Sequence, residues 1–235
     1  DDDRFRPKLR PPRDRGNGEP VRFVSRVLKA TSRAGPAGAK GGRRPGVFRG
    51  RGVVAARLAM ARSQFGQRRV IVKVRVVRLG PTGLKSSRTH LRYLERAGVN
   101  REGEPGQAYG PQTEAADAAA FSAAGAGDRH QFRAIVAPED ATEIGDLHGY
   151  TRRLLARVEQ DLGTRLEWIA VDHWDTDNPH THIVIRGRDE SGGDLVISRE
   201  YLTHGMRVRA TELATEWLGP RSEAEIQASL TREIS

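Results

Sequence analysis

The 235-residue chain contains no cysteine, so disulfides and thiolate metal sites are both excluded. Hydrophobic residues make up only 37% and the mean hydropathy is -0.62, low for a chain that must build a core. No apolar run approaches the roughly 18 residues of a membrane-spanning helix, and no stretch has the form of a signal peptide. These absences set the expectation of a cytoplasmic protein without membrane insertion, holding any metal through nitrogen and oxygen ligands.

What is present in excess is positive charge, and it is unevenly placed. Residues 1–69 hold 19 Lys/Arg against 5 Asp/Glu, a balance of +14, whereas residues 70–235 hold 21 against 25, a balance of -4; together they give the net +10. Residues 1–69 therefore read as a basic arm rich in Arg, Gly and Pro, and 70–235 as the folded domain. A basic arm is suited to nucleic acid, where each phosphate contact releases counterions; a solvated tail is the plainer alternative.

Within the arm, residues 1–20 read as disordered. Helical spacing of apolar residues predicts short helices over Val21–Ala30 and Val53–Arg62. In the domain, the β-branched run Val70–Leu79 reads as a strand with one wetter face. Ser86–Ala97 reads as a helix capped by Ser86 or Ser87, and Thr113–Ala124 as an Ala-rich helix. Gln131–Ala137 is a strand ended by Pro138. Asp146–Gly163 is the clearest helix, with Leu147, Tyr150, Leu154, Val158 and Leu162 on one apolar face. Leu195–Ile197 reads as a short edge strand. Ser198–Leu218 reads as a helix broken near Gly205, with Leu202, Met206, Ala210, Leu213 and Trp217 inward, and Arg221–Ile234 as a charged helix. Strands and helices mix without regular βαβ alternation, which predicts an α+β fold: a central antiparallel sheet with helices mainly on one face.

The chain is organised around Trp168–Gly187. Two β-like runs, Leu166–Asp172 and Thr181–Arg186, flank a polar turn and read as a hairpin. Side chains alternate faces along a strand, so His180 and His182 point the same way. The hairpin returns His173 beside them, with Asp172, Asp175 and Asp177 close by to orient the rings. Three of the chain's seven His fall in these ten residues, and three imidazoles with open positions left over suit a catalytic metal. The D-x-D-N run lacks the central Gly and terminal Glu of a calcium loop.

With a basic arm, such a site points to phosphodiester chemistry, in which the attacking group is either water or a side chain. Four tyrosines are available: Tyr93, Tyr109, Tyr150 and Tyr201. Tyr150 lies on an apolar helix face and reads as core. Tyr93, beside His90, Arg92 and Arg96, sits where cations attract phosphate and favour phenolate. It reads equally well as a packed helical residue.

The block D-H-W-D-T-D-N-P-H-T-H-I-V-I-R-G resembles the third motif of conjugative relaxases, within the wider class of nucleases named for a His-hydrophobe-His pair. The nearest branch comprises plasmid-mobilisation and T-DNA border-nicking relaxases. H-L-R-Y-L-E-R-A-G-V is similar to the helix carrying that branch's tyrosine, and Arg129–Asp140 to its second motif. Asp194–Ala210 and the arm are similar to a long proteobacterial subgroup, so the likeness covers most of the chain. Thr181 departs from the pattern, which usually has a bulkier hydrophobe between the paired His, and the family's proteins are longer.

The resemblance implies a bacterial, cytoplasmic DNA relaxase acting in conjugative mobilisation. His173, His180 and His182 would hold the metal. Three imidazoles suit zinc or manganese, and the family commonly works with magnesium or manganese. Tyr93 would attack single-stranded DNA at an origin of transfer, leaving a 5′-phosphotyrosyl link. Asp175 or Asp177 would orient a ligand or help accept the tyrosine proton; the family's His-x-Asp spelling favours Asp175. Arg92, Arg96, Arg207 and Arg209 are the candidate DNA contacts, and relaxosome and type IV secretion proteins the candidate partners. The competing readings are a rolling-circle initiator or transposase, a water-using metallohydrolase, and a non-enzymatic DNA-binding module.

Overall fold

β-branched and aromatic residues are concentrated in the strands. In the computed structural model, which describes residues 50–60, 66–80, 83–97 and 99–227, β1 (Val70–Arg78), β2 (His130–Pro138), β3 (Trp168–His173) and β4 (His180–Arg186) form one antiparallel sheet in the order β1-β2-β4-β3. The described helices include α1 (Val53–Met60), α2 (Gly83–Ala97), α3 (Ala118–Ala124), α4 (Ala141–Ile144), α5 (Leu147–Leu162) and α6 (Met206–Leu218). The fold is α+β. No helix among the described residues is long and apolar enough to cross a membrane.

The sheet's two faces differ because alternate side chains do. Phe132, Ala134, Val136, Trp168, Ala170, Ile183 and Ile185 turn to one face and pack against Tyr150, Leu154, Leu155, Val158 and Leu162 of α5 and Met206, Ala210 and Leu213 of α6. Each fully buried Val, Leu, Ile, Phe or Met side chain there contributes about 1.5–3 kcal/mol relative to exposure. A second cluster lies on the other face, where Leu91 and Leu94 of α2 cover Ile169, Val171 and Val184. Helices thus pack on both faces, and α2 covers β3, β4 and the Gln131 end of β2, leaving Ile71, Lys73 and Arg75 of β1 exposed.

The helix boundaries follow the caps. Asp146 accepts from the Gly149 N–H and Gly163, with φ 62°, closes α5 in the left-handed conformation, as its sequence dictates. The α5 face of Leu147, Tyr150, Leu154, Val158 and Leu162 is buried throughout. By contrast, α3 starts only at Ala118, because the Asp117 carboxylate takes the Ala119 and Ala120 N–H groups and ends the preceding loop. Helix α2 begins earlier than expected, at Gly83, leaving Ser87 inside the helix and buried against Gln131 rather than capping it.

Leu195–Ile197 forms no strand of its own; Ile197 makes a single parallel bridge to Arg51. Instead of a break near Gly205, the helical backbone runs on through a wide π turn over Tyr201–Gly205 into α6. Gly205 suits it, since a Cβ there would lie 2.5 Å from the Tyr201 ring. Trp217, expected inward, is 40% exposed, with one ring edge against Tyr150. The expected helix over Val21–Ala30 and the end of that over Arg221–Ile234 lie outside the described residues.

Candidate metal centre

Strand register brings the three imidazoles together. His173 and His180 are direct cross-strand partners, and His182 pairs with Val171 one step further along. All three project to the α2 face, since Asp172 and Thr181 between them go the other way. The His173 and His182 ring centroids are 4.6 Å apart, those of His180 and His182 4.9 Å, and those of His173 and His180 5.3 Å.

Each ring is oriented by what its other nitrogen holds. His180 Nδ1 lies 2.9 Å from the Asn178 carbonyl oxygen, placing its proton on Nδ1 and leaving the Nε2 lone pair free, 3.1 Å from His182 Nε2. His173 hydrogen-bonds the backbone of Leu94 in α2, while its Nε2 is buried with no partner. A buried nitrogen without a partner is costly unless something fills the gap. One ligand atom from each ring lies within 4.8 Å of the others. The cluster can hold a metal ion.

The electrostatics suit a cation as well. Burial, with the neighbouring imidazoles His173, His180 and His90, pushes His182 down to about 3. Burial and His180 likewise lower His173. All three ligands must be unprotonated to coordinate, and the protein has removed that obstacle for these two at neutral pH.

Helix α2 supplies the other wall. His90 and Tyr93 lie three residues apart on one flank of it. Burial, with the charge of Arg133, lowers His90 to about 4, and His90 in turn acts on His182. His90 therefore faces Arg133 of β2 and the imidazole cluster. Arg92 lies on the opposite flank and, with Arg88, Glu95 and Asp117, lines a cleft against α3. Arg96 is exposed.

The four tyrosines separate cleanly. Tyr109, Tyr150 and Tyr201 are at most 1% exposed. Their hydroxyls donate to Asp172 Oδ1, the Ala210 carbonyl and Asp161 Oδ2 respectively, and burial raises the pKa of each. Tyr93 is 49% exposed.

The carboxylates do not act together. Asp175 is exposed in the hairpin turn and its charge bears on His173; Asp177 is exposed in the same turn. Asp172, grouped with them by sequence, points to the opposite face of the sheet because it precedes His173 by one residue. The basic residues near α6 also part ways. Arg209 is engaged by Asp161 and Glu212, whereas Arg207 is exposed and lines a groove of about 680 Å³ with His204, Ile71 and Lys73.

Residues not singled out from sequence fill the uncovered part of the α2 face. Ile71, Lys73 and Arg75 of β1 alternate onto it opposite Ala137, Ile135 and Arg133 of β2, and Ile135 in turn pairs with His182. Ile71 is 58% exposed, and Lys73 and Arg75 are exposed. The signal was in V-I-V-K-V-R-V-V-R, whose wetter face carries the cations.

No protein-family model matches the chain, and no curated protein matches its sequence.

Proposed function

We propose that the chain is a metal-dependent DNA strand transferase of the relaxase kind, nicking single-stranded DNA at an origin of transfer in bacterial conjugative mobilisation. The observation that carries this reading is the contrast among the tyrosines. Only Tyr93 of the four is open to a substrate, and it lies on α2, whose next residue, Leu94, holds His173. The resemblance of the two motifs to those of relaxases supports the same roles.

DNA would lie across the uncovered part of the sheet, its phosphates near Lys73, Arg75 and Arg133 and its bases over Ile71 and Ile135. A bound magnesium or manganese ion on His173, His180 and His182 would supply Lewis-acid polarisation of the scissile phosphate. The Tyr93 oxygen attacks phosphorus, forming the tyrosyl–phosphate bond as the bond to the 3′ oxygen breaks; the 3′ oxygen takes a proton and leaves as a free hydroxyl. An ordinary phenol titrates near 10, so the proton must leave to an acceptor, and Asp175 or Asp177 of the hairpin turn would take it. The phosphotyrosyl link conserves the bond energy, so the free 3′-hydroxyl can reverse the step. The basic arm and Arg207 add phosphate contacts outside the cleft.

The test is incubation of the protein with labelled single-stranded transfer-origin DNA and manganese, followed by a denaturing gel. An SDS-resistant adduct is expected, absent from Tyr93→Phe and His180→Ala. An adduct that survives Tyr93→Phe moves the nucleophile elsewhere, and cleavage without an adduct indicates a water-using hydrolase.

A further inference from the structure

Behind the three imidazoles, on the opposite face of the hairpin, lies a buried polar cluster with no part in the chemistry above. Resting on the metal-centre reading, we propose that Asp172, Thr181, Tyr109 and His148 form a positioning clamp that sets the spacing of the three ligands.

Register places the clamp. Asp172 and Thr181 are direct cross-strand partners, between the His173–His180 pair and the Val171–His182 pair. Each candidate ligand is therefore the chain neighbour of a clamp residue: His173 follows Asp172, and His180 and His182 flank Thr181. Any slip between Asp172 and Thr181 moves all three rings on the other face.

The bonds are short and convergent. Thr181 Oγ1 donates to Asp172 Oδ1 at 2.6 Å, and the Tyr109 hydroxyl donates to the same oxygen at 2.9 Å. His148 Nε2 lies 3.3 Å from Oδ2, and Thr151 Oγ1 lies 3.3 Å from Thr181 Oγ1. Asp172 is 5% exposed, Thr181 1%, and Tyr109 and Thr151 0%. The supports are themselves held. Tyr109 exchanges both backbone hydrogen bonds with Ala170 of β3, each 2.9 Å. Its ring stacks on that of His148, centroids 3.8 Å apart, and His148 Nδ1 lies 3.2 Å from Glu114. Hairpin, preceding loop and α5 are thus joined at one carboxylate.

Strand stability alone does not call for this arrangement. Valine has nearly the shape of threonine and at least its strand preference, and burying a carboxylate with a hydroxyl is unfavourable unless both are fully bonded. A satisfied polar network does what an apolar pair does not: it fixes one geometry. A metal centre needs its ligands held to within about 0.5 Å. This also gives Thr181 a role of its own, at the position where the resembled motif carries a bulkier hydrophobe.

The test titrates Mn²⁺ alone into the full chain by calorimetry, for wild type, Thr181→Val, Thr181→Ser and Asp172→Asn, with thermal melts recorded free of metal. Thr181→Val is expected to melt within a few degrees of wild type yet bind Mn²⁺ about 10–100-fold more weakly, the usual effect of removing an outer support. Thr181→Ser restores the hydroxyl and is expected to recover the affinity. Asp172→Asn keeps an acceptor oxygen for Thr181 and Tyr109 and so is expected to fold, with an intermediate loss. Wild-type affinity in Thr181→Val overturns the clamp while leaving the metal centre standing. So does a loss of affinity that tracks melting temperature and is not rescued by serine. Failure of wild type to bind Mn²⁺ overturns the metal-centre reading, and the clamp with it.

Discussion

One face of the sheet sends Phe132, Ala134, Val136, Ile183 and Ile185 into α5 and α6, each at 2% exposure or less, whereas the other leaves Ile71 58% exposed beside the cations Lys73 and Arg75. The same four strands supply both faces, residue by alternate residue. The covered face contributes stability, through burial and through hydroxyls that find acceptors. The other face contributes less to stability: Lys73 and Arg75 are exposed there, His180 and His182 are half-buried beside the buried His173, and Tyr93 of α2 stands half exposed. Chemistry-bearing residues left uncovered in this way are where a functional site is sought.

Substitutions on the two faces should therefore fail differently. Tyr93→Phe is expected to reduce adduct formation to background with no change in melting temperature. Leu154→Ala, wholly within the covered face, is expected to cost about 2–5 kcal/mol, measured by urea unfolding. A Tyr93→Phe variant that unfolds readily, or a Leu154→Ala variant of unchanged stability, would erase the contrast.

Acid should strike from the imidazole side. His182 and His90 titrate at about 3 and about 4 in the fold against about 6.5 in the unfolded chain, and His173 is also lowered. Between those limits the unfolded state binds more protons, so stability rises with pH. The metal-free protein should lose stability as pH falls from about 6.5 toward 3, and a His182→Ala variant should lose less over that window in melts taken at half-unit intervals.

Smaller effects follow on the open face. Lys73→Glu with Arg75→Glu is expected to weaken oligo-dT binding several-fold and to flatten its salt dependence by about 0.7 for each phosphate no longer neutralised, read by fluorescence anisotropy, while stability stays within about 0.5 kcal/mol. Smallest of all, Tyr150→Phe removes only the hydrogen bond to the Ala210 carbonyl and is expected to cost about 1 kcal/mol with adduct formation intact.

How much of this was legible before the structure depended on which rule governs each residue. Period-two alternation placed His180 and His182 on one face, and the capped, evenly spaced apolar residues of Asp146–Gly163 gave α5 nearly to the residue. The same alternation, carried one residue back, puts Asp172 on the far face; grouping it with Asp175 and Asp177 by proximity in sequence missed that. Other features have no local signal. Tyr109 sits in a Gly-flanked loop, and its complete burial comes from distant partners, the bridge to Ala170 and the stacked His148 ring. Arg209 reads as a candidate DNA contact until α5 brings Asp161 to it. The start of α3 was misplaced because alanine favours helix everywhere in Thr113–Ala124, and the cap at Asp117 decides where it begins. That helices lie on both faces, with α2 covering only part of one, is a property of packing that no window of sequence carries.

The most direct test of the account is to trap the protein–DNA adduct, digest both components and locate the modified residue by mass spectrometry. A single phosphonucleotide-bearing peptide from α2 is expected, with the added mass on Tyr93 and dependent on manganese. A modification on Tyr109, Tyr150 or Tyr201, or cut DNA with no modified peptide, would contradict it.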